Sequence, residues 1–130
     1  MASRFPTLLA AAGALSLSFG SALAAEQQAF SKAAFEAAEA AGAPILVEVH
    51  ASWCPTCKAQ KPILSELTGQ PKFSGLKIFY VDFDAQKDVV KSFGVTMQST
   101  LITFHGKAET GRSVGDTDRS SIAALLDKAI

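Results

Sequence analysis

The strongest constraint on this chain is an apolar, β-branched run that stops against a dithiol: Pro44-Ile45-Leu46-Val47-Glu48-Val49-His50-Ala51, then Ser52-Trp53-Cys54-Pro55-Thr56-Cys57-Lys58. A run of that composition behind a proline reads as a strand buried on both faces, the middle of a sheet covered on each side. From Cys54 the pattern turns helical as far as about Leu67, with Pro62 inside it as an expected kink. A strand that ends where a helix begins puts Cys54 beside the unpaired N–H groups and positive dipole end of that helix, where thiolate is favoured. Cys57, one turn on, shares a helical face with Cys54, so the two sulfurs fall within bonding reach. Pro55 suits the first turn, because the N–H it lacks would have no helical partner there. This placement predicts an exposed, reactive Cys54 and a shielded Cys57.

The chain has 2 cysteines, and both lie in this motif. A bridge across so short a loop constrains the unfolded chain little, so a purely structural staple is a poor use of the pair. Two thiolates are also only half of a tetrahedral zinc shell. His50 and His105 fall on different strands with no ligand spacing to the cysteines. A metal or iron–sulfur cluster would therefore draw Cys54 and Cys57 from each of two copies. Haem attachment through C-x-x-C-H is excluded by Lys58.

The ends of the chain bear on the choice. Met1 to Arg4 form a short basic start, Phe5 to Phe19 an almost uncharged Leu- and Ala-rich run, and Ala22-Leu23-Ala24 fits the small-residue rule for signal cleavage. Residues 1–24 thus read as a signal peptide with cleavage expected near Ala24, the apolar run being short for a bilayer span of ~20 residues. Export to the periplasm or beyond places the cysteines where disulfides persist. Residues 25–130 suit one small domain. The chain carries 12 Lys and Arg against 12 Asp and Glu, a balance that argues against nucleic acid or an acidic membrane surface as partner.

Along the rest of the domain, Ser31 is expected to cap a helix to about Ala41 that stops at Gly42 and turns Phe35 inward. Leu76–Asp84 is a second long strand, Ala85–Gly94 a short helix with Val89, Val90 and Phe93 inward, and Ser99–His105 a third strand. Residues 106–109 (GKAE) turn the chain into a strand over Thr110–Gly115. Asp116 or Thr117 caps a last helix striped with Ile122, Leu125, Leu126 and Ile130, and a very short extra strand falls near Gln28–Phe30. Strands joined through helices are expected to run parallel and the last pair to form a hairpin, giving a mixed sheet with helices on both faces.

With these elements in this order, the sequence resembles the thioredoxin-fold family over residues 25–130. The resemblance rests on Ile45–Lys58, on Tyr80–Gln86, on Phe93–Phe104 with Gly106-Lys107 after it, and on Val114-Gly115 before the last helix. It implies an α/β thioredoxin fold with a central mixed sheet of four to five strands. It also implies a thiol–disulfide oxidoreductase whose only redox group is the Cys54–Cys57 pair, with no other cofactor. Cys54 would attack, Cys57 would resolve the mixed disulfide, and Trp53, Pro55, Thr56, Gln98, Ser99 and Thr100 would meet protein substrates bearing thiols or disulfides. The motif resembles reducing members, which outside the cytosol require an electron donor such as a membrane thiol relay; a monomer is expected. Two departures stand out. Glu48 occupies the place of the family's buried Asp, predicting a raised pKa and a role as the base for Cys57. Ser99 occupies the place of the family's cis-proline. A non-proline cis bond costs about 2.5–4 kcal/mol, so Gln98–Ser99 is either a cis bond held by the fold or trans in a remodelled loop. Its hydroxyl is placed to hydrogen-bond Cys54. His50, Lys58, Lys61, Tyr80, Asp82 and Asp84 read as packing or solvated residues.

Overall fold

The computed structural model describes residues 24–130; the predicted leader lies outside them except for Ala24. The elements run β1 Glu26–Ala29, α1 Lys32–Ala40, β2 Pro44–His50, α2 Pro55–Thr68, a 3-10 turn Pro71–Phe73, β3 Lys77–Asp82, α3 Lys87–Ser92, β4 Thr100–His105, β5 Ala108–Val114 and α4 Arg119–Asp127. The strands form one sheet in the order β1-β3-β2-β4-β5. This is the α/β thioredoxin fold expected from the sequence. The short first strand forms slightly earlier than its predicted position and pairs in parallel with β3, Gln28 opposite Phe79.

β2 lies between β3, which it parallels, and β4, which runs against it. Its alternation decides both faces. Ile45, Val47 and Val49 join Phe35, Phe79, Val90, Ile102 and Phe104 in a core under α1 and α3. Leu46 joins Leu64, Leu67, Ile78, Leu101, Ile122 and Leu126 under α2 and α4. Glu48 and His50 follow Leu46 at the period of two and so belong to the α2 side.

One connection departs from expectation. β3 and β4 are linked through a helix, yet β4 is antiparallel to β2 and hence to β3. The reason is length. The 6 residues of α3 span only about 9 Å at 1.5 Å per residue, whereas a 6-residue strand covers about 20 Å. The chain leaves β3 at Asp82, opposite His50, and enters β4 at Thr100, opposite Val49, without travelling back along the sheet.

Local chemistry sets the ends of the elements. The Ser31 hydroxyl accepts the Ala34 N–H at 3.1 Å, as predicted for the cap of α1. α4 is capped by Asp118, not by Asp116 or Thr117: the Asp118 carboxylate accepts the Ser121 N–H at 2.8 Å. Asp116 instead accepts the Asp118 N–H at 2.9 Å, which bends the chain into that cap. Ile130 is 49% exposed, and Ala129 takes its place on the buried stripe. The β4–β5 turn is tighter than expected, because Ala108 and Glu109 already pair with His105 and Phe104. Gly106, with φ +56°, supplies the left-handed first corner that a two-residue hairpin of this kind demands.

Phe35 is the hub of the α1-side core, with its ring 5.4–5.5 Å from those of Phe30, Phe79, Phe93 and Phe104, three of the four edge-on. Phe35→Ala is expected to destabilise the domain by about 3–5 kcal/mol, measured as a lowered urea midpoint with an unchanged denaturant slope.

Candidate functional site

The end of β2 and the start of α2 build the centre. Cys54 is the N-cap of α2, with extended backbone at φ −80° and ψ 111°, and its sulfur accepts the Cys57 N–H at 3.1 Å. Pro55 is the first helical residue, where its missing N–H leaves no bond unmade. Cys54 and Cys57 are joined as a disulfide with their Cα atoms 5.3 Å apart. Exposure runs opposite to the expectation: Cys54 is fully buried, and Cys57 is the half-buried sulfur. The cap geometry explains the reversal, because it folds the Cys54 side chain back over the first turn of the helix. The Cys57 amide aimed at the Cys54 sulfur is a contact that favours negative charge there.

Cys57 opens onto a cleft of about 480 Å³ on the α2 side of the sheet, which it lines together with Glu48, His50, Lys58, Lys61 and Tyr80. Glu48 sits half-buried in the central strand, not at a sheet edge, and desolvation raises its pKa from 4.5 to about 7 against the opposing pull of the Lys61 ammonium. Tyr80, facing Glu48 from β3, has its phenol pushed up to about 12 by burial and by the Glu48 charge. It donates to Gln27 Oε1 at 2.9 Å and meets the His50 ring edge-on at 5.7 Å. Lys61 and Tyr80 therefore belong to the electrostatics of the site and are more than solvated or covering residues.

The loop before β4 resolves the question left open at Ser99. Among the described residues every peptide bond is trans, and Ser99 adopts φ +58°. Ser99 is buried, and its hydroxyl donates to the Gln98 carbonyl at 2.6 Å, not to Cys54. Thr100 is buried and anchors the same loop by donating to the Met97 carbonyl at 2.7 Å. Gln98 is half-buried beside them.

Trp53 is 55% exposed, so it is not a core residue; its indole N–H donates to Asp84 Oδ2 at 2.7 Å. Asp84 is thus an anchor for the indole and no mere solvated rim. Asp82, which accepts the N–H groups of Asp84 and Ala85 and is held below the usual carboxylate range by those bonds, shapes the turn that presents it. Pro55 is exposed and Thr56 half-buried on the outer side of the helix start. Met97 and Val114, 51% and 57% exposed, are further exposed apolar side chains at this end of the sheet. Gln60 escaped the sequence reading, and Lys61 and Asp84 were read only as solvated residues, because each acts on a partner far along the chain or across the sheet. Among the described residues no group of three or more His, Cys, Asp or Glu side chains gathers for a metal. The two-copy metal or cluster reading would have to take all its remaining ligands from outside this chain.

Comparison with known proteins agrees with this geometry. Residues 26–128 match the family model described as Thioredoxin. The thioredoxin of Chlamydia muridarum is 36% identical over 84 residues, 65% of this chain and 80% of that protein. The thioredoxin of Pseudomonas aeruginosa is 33% identical over 91 residues, 69% of this chain and 82% of that protein. Among solved structures, Trxlp from Edwardsiella tarda superposes with a TM-score of 0.76 at 44% identity, covering 78% of this chain and 98% of its own.

Glu48 makes a pH dependence that can be read directly. Its folded pKa lies above the unfolded value, so between pH 4.5 and 7 the native state holds the proton more tightly and stability falls as pH rises. Glu66, Asp82, Glu109 and Asp118 are all shifted downward and act below that window. The oxidised protein is expected to lose up to ~3 kcal/mol between pH 5 and 8. Glu48→Gln should flatten the profile in urea unfolding series; an equally steep profile in the variant would assign the loss elsewhere.

Proposed function

The chain belongs to the thioredoxin family and is a thiol–disulfide oxidoreductase needing no cofactor beyond its own disulfide; from that premise we propose that it works outside the cytoplasm, as a reductase or thiol relay for protein disulfides. The observation that carries the reading is the Cys54–Cys57 disulfide closing the first turn of α2, with Glu48 on the cleft that Cys57 lines.

In the reduced protein the Cys54 thiolate attacks one sulfur of a substrate disulfide. An S–S bond forms to Cys54, the substrate bond breaks, and one substrate thiolate leaves. The Cys57 N–H and the start of α2 stabilise the Cys54 thiolate both before attack and when it is regenerated as the leaving group. Cys57 must lose its proton before it can resolve the mixed disulfide. Glu48, with a pKa near 7, accepts that proton across the cleft and passes it to solvent. The Cys57 thiolate then attacks Cys54 Sγ, the internal disulfide closes, and the second substrate thiolate departs with the electron pair of the broken S–S bond.

Trp53, Pro55, Thr56, Gln98, Ser99 and Thr100 form the substrate face. Trp53, pinned by Asp84, stands as an apolar wall beside the sulfurs, and the backbone N–H groups of the Gln98–Ser99 loop offer hydrogen bonds to the incoming chain. Residues 1–24 direct export, with cleavage after Ala24. A membrane thiol transporter then supplies two electrons to reopen the disulfide, and the mature domain acts as a monomer.

Cys57→Ser, expressed with its leader, is expected to accumulate mixed disulfides through Cys54 in the exported fraction, released by dithiothreitol and absent from Cys54→Ser. The wild-type domain should reduce insulin disulfides. An equilibrium potential more oxidising than about −150 mV would overturn the direction of electron flow, and a chain recovered with the leader inside the cell would overturn the compartment.

A further inference from the structure

Gln60 lies on α2 one turn beyond Cys57, and it is 3% exposed. A buried primary amide is costly unless its N–H groups find acceptors. Its Nε2 donates to the Ser99 carbonyl at 3.2 Å and to the Asp116 carbonyl at 2.8 Å. Those two carbonyls belong to the loop entering β4 and the loop leaving β5. The Gly115 N–H donates to the same Ser99 oxygen at 3.0 Å, so that oxygen is held from two directions.

Ser99 needs such holding. At φ +58° it occupies the left-handed region, which is strained for a residue with a Cβ. Its own hydroxyl bonds only its neighbour's carbonyl and ties the loop to nothing outside itself. The external ties on the Ser99 carbonyl are Gln60 and Gly115. Gln60 also rides on the helix that carries Cys57, so one rigid element references both the sulfurs and the loop.

We propose that Gln60 is a positioning residue: its amide clamps the Ser99 carbonyl and so fixes the direction in which the Gln98–Ser99 backbone meets a substrate strand beside the disulfide. It supplies by hydrogen bonding the fixation that a proline ring supplies at this place in the family. The inference rests on the reading that this loop receives the substrate.

The test is Gln60→Met, which keeps the length of the side chain and removes both donors. The KM for insulin as protein disulfide is expected to rise about five- to tenfold, from the lost ordering of the loop. Equilibrium with dithiothreitol should stay within about twofold, because a small thiol does not pair with the loop. Leu67→Ala, which weakens α2 from its apolar side, is the control for instability; it should lower the urea midpoint while leaving KM at the wild-type value. Gln98→Pro removes a loop N–H directly. If Gln98→Pro raises KM and Gln60→Met does not, the loop binds substrate without this clamp and the proposal fails. If neither moves KM, the substrate role of the loop falls and the clamp with it. If Gln60→Met slows insulin and dithiothreitol exchange equally, the residue is structural only and the proposal is overturned.

Discussion

The working end of the molecule depends on the double burial of β2. Its backbone is paired on both sides, and its side chains alternate between two separate cores. A strand so enclosed has one register, since a slip of a single residue would exchange Leu46 and Glu48 for Ile45, Val47 and Val49 across the sheet. That register delivers Cys54 to the sheet's end as the cap of α2 and sets Glu48 on the face the helix covers. The position of the disulfide and the position of its acid are one decision.

The charge environment of the cleft follows from the same decision. A carboxyl in the middle of a sheet is pushed toward its neutral form by desolvation, and Lys61 on the helix partly restores the charged form. The result is a group that titrates near neutrality, where a proton acceptor for a thiol is most useful. Tyr80 and His50 line the cleft from the sheet side, their rings in edge-on contact. Glu48 accordingly holds its place at some cost to stability, an example of a local rule broken at a site and supported elsewhere.

Opposite the dithiol, the loop into β4 shows how a fold keeps a shape when its usual device is missing. Without a proline, the Gln98–Ser99 bond is trans, and the strain moves from the peptide bond to the φ of Ser99. Thr100, Gly115 and Gln60 then hold the segment through Met97 and Ser99 carbonyls. The exposed Trp53, Met97 and Val114 gather at this end because β2, β4 and β5 all bring their loops there.

Local sequence determined a great deal. The β-branched run before the dithiol, the Ser31 cap, the proline at the first turn of α2 and the inward stripe of α3 each depend on neighbours within a turn or a pleat, so they were legible residue by residue. The raised pKa of Glu48 was also legible, because an acid in an apolar strand is desolvated wherever that strand is buried. Tertiary structure alone decided the rest. Which sulfur is covered, the antiparallel entry of β4, the Asp118 cap, the Trp53–Asp84 bond and the Gln60 clamp all join groups set by the path of the chain through space. Periodicity encodes which face a residue takes, but a hydrogen bond between residues tens of positions apart exists only once packing has fixed the distance between their elements.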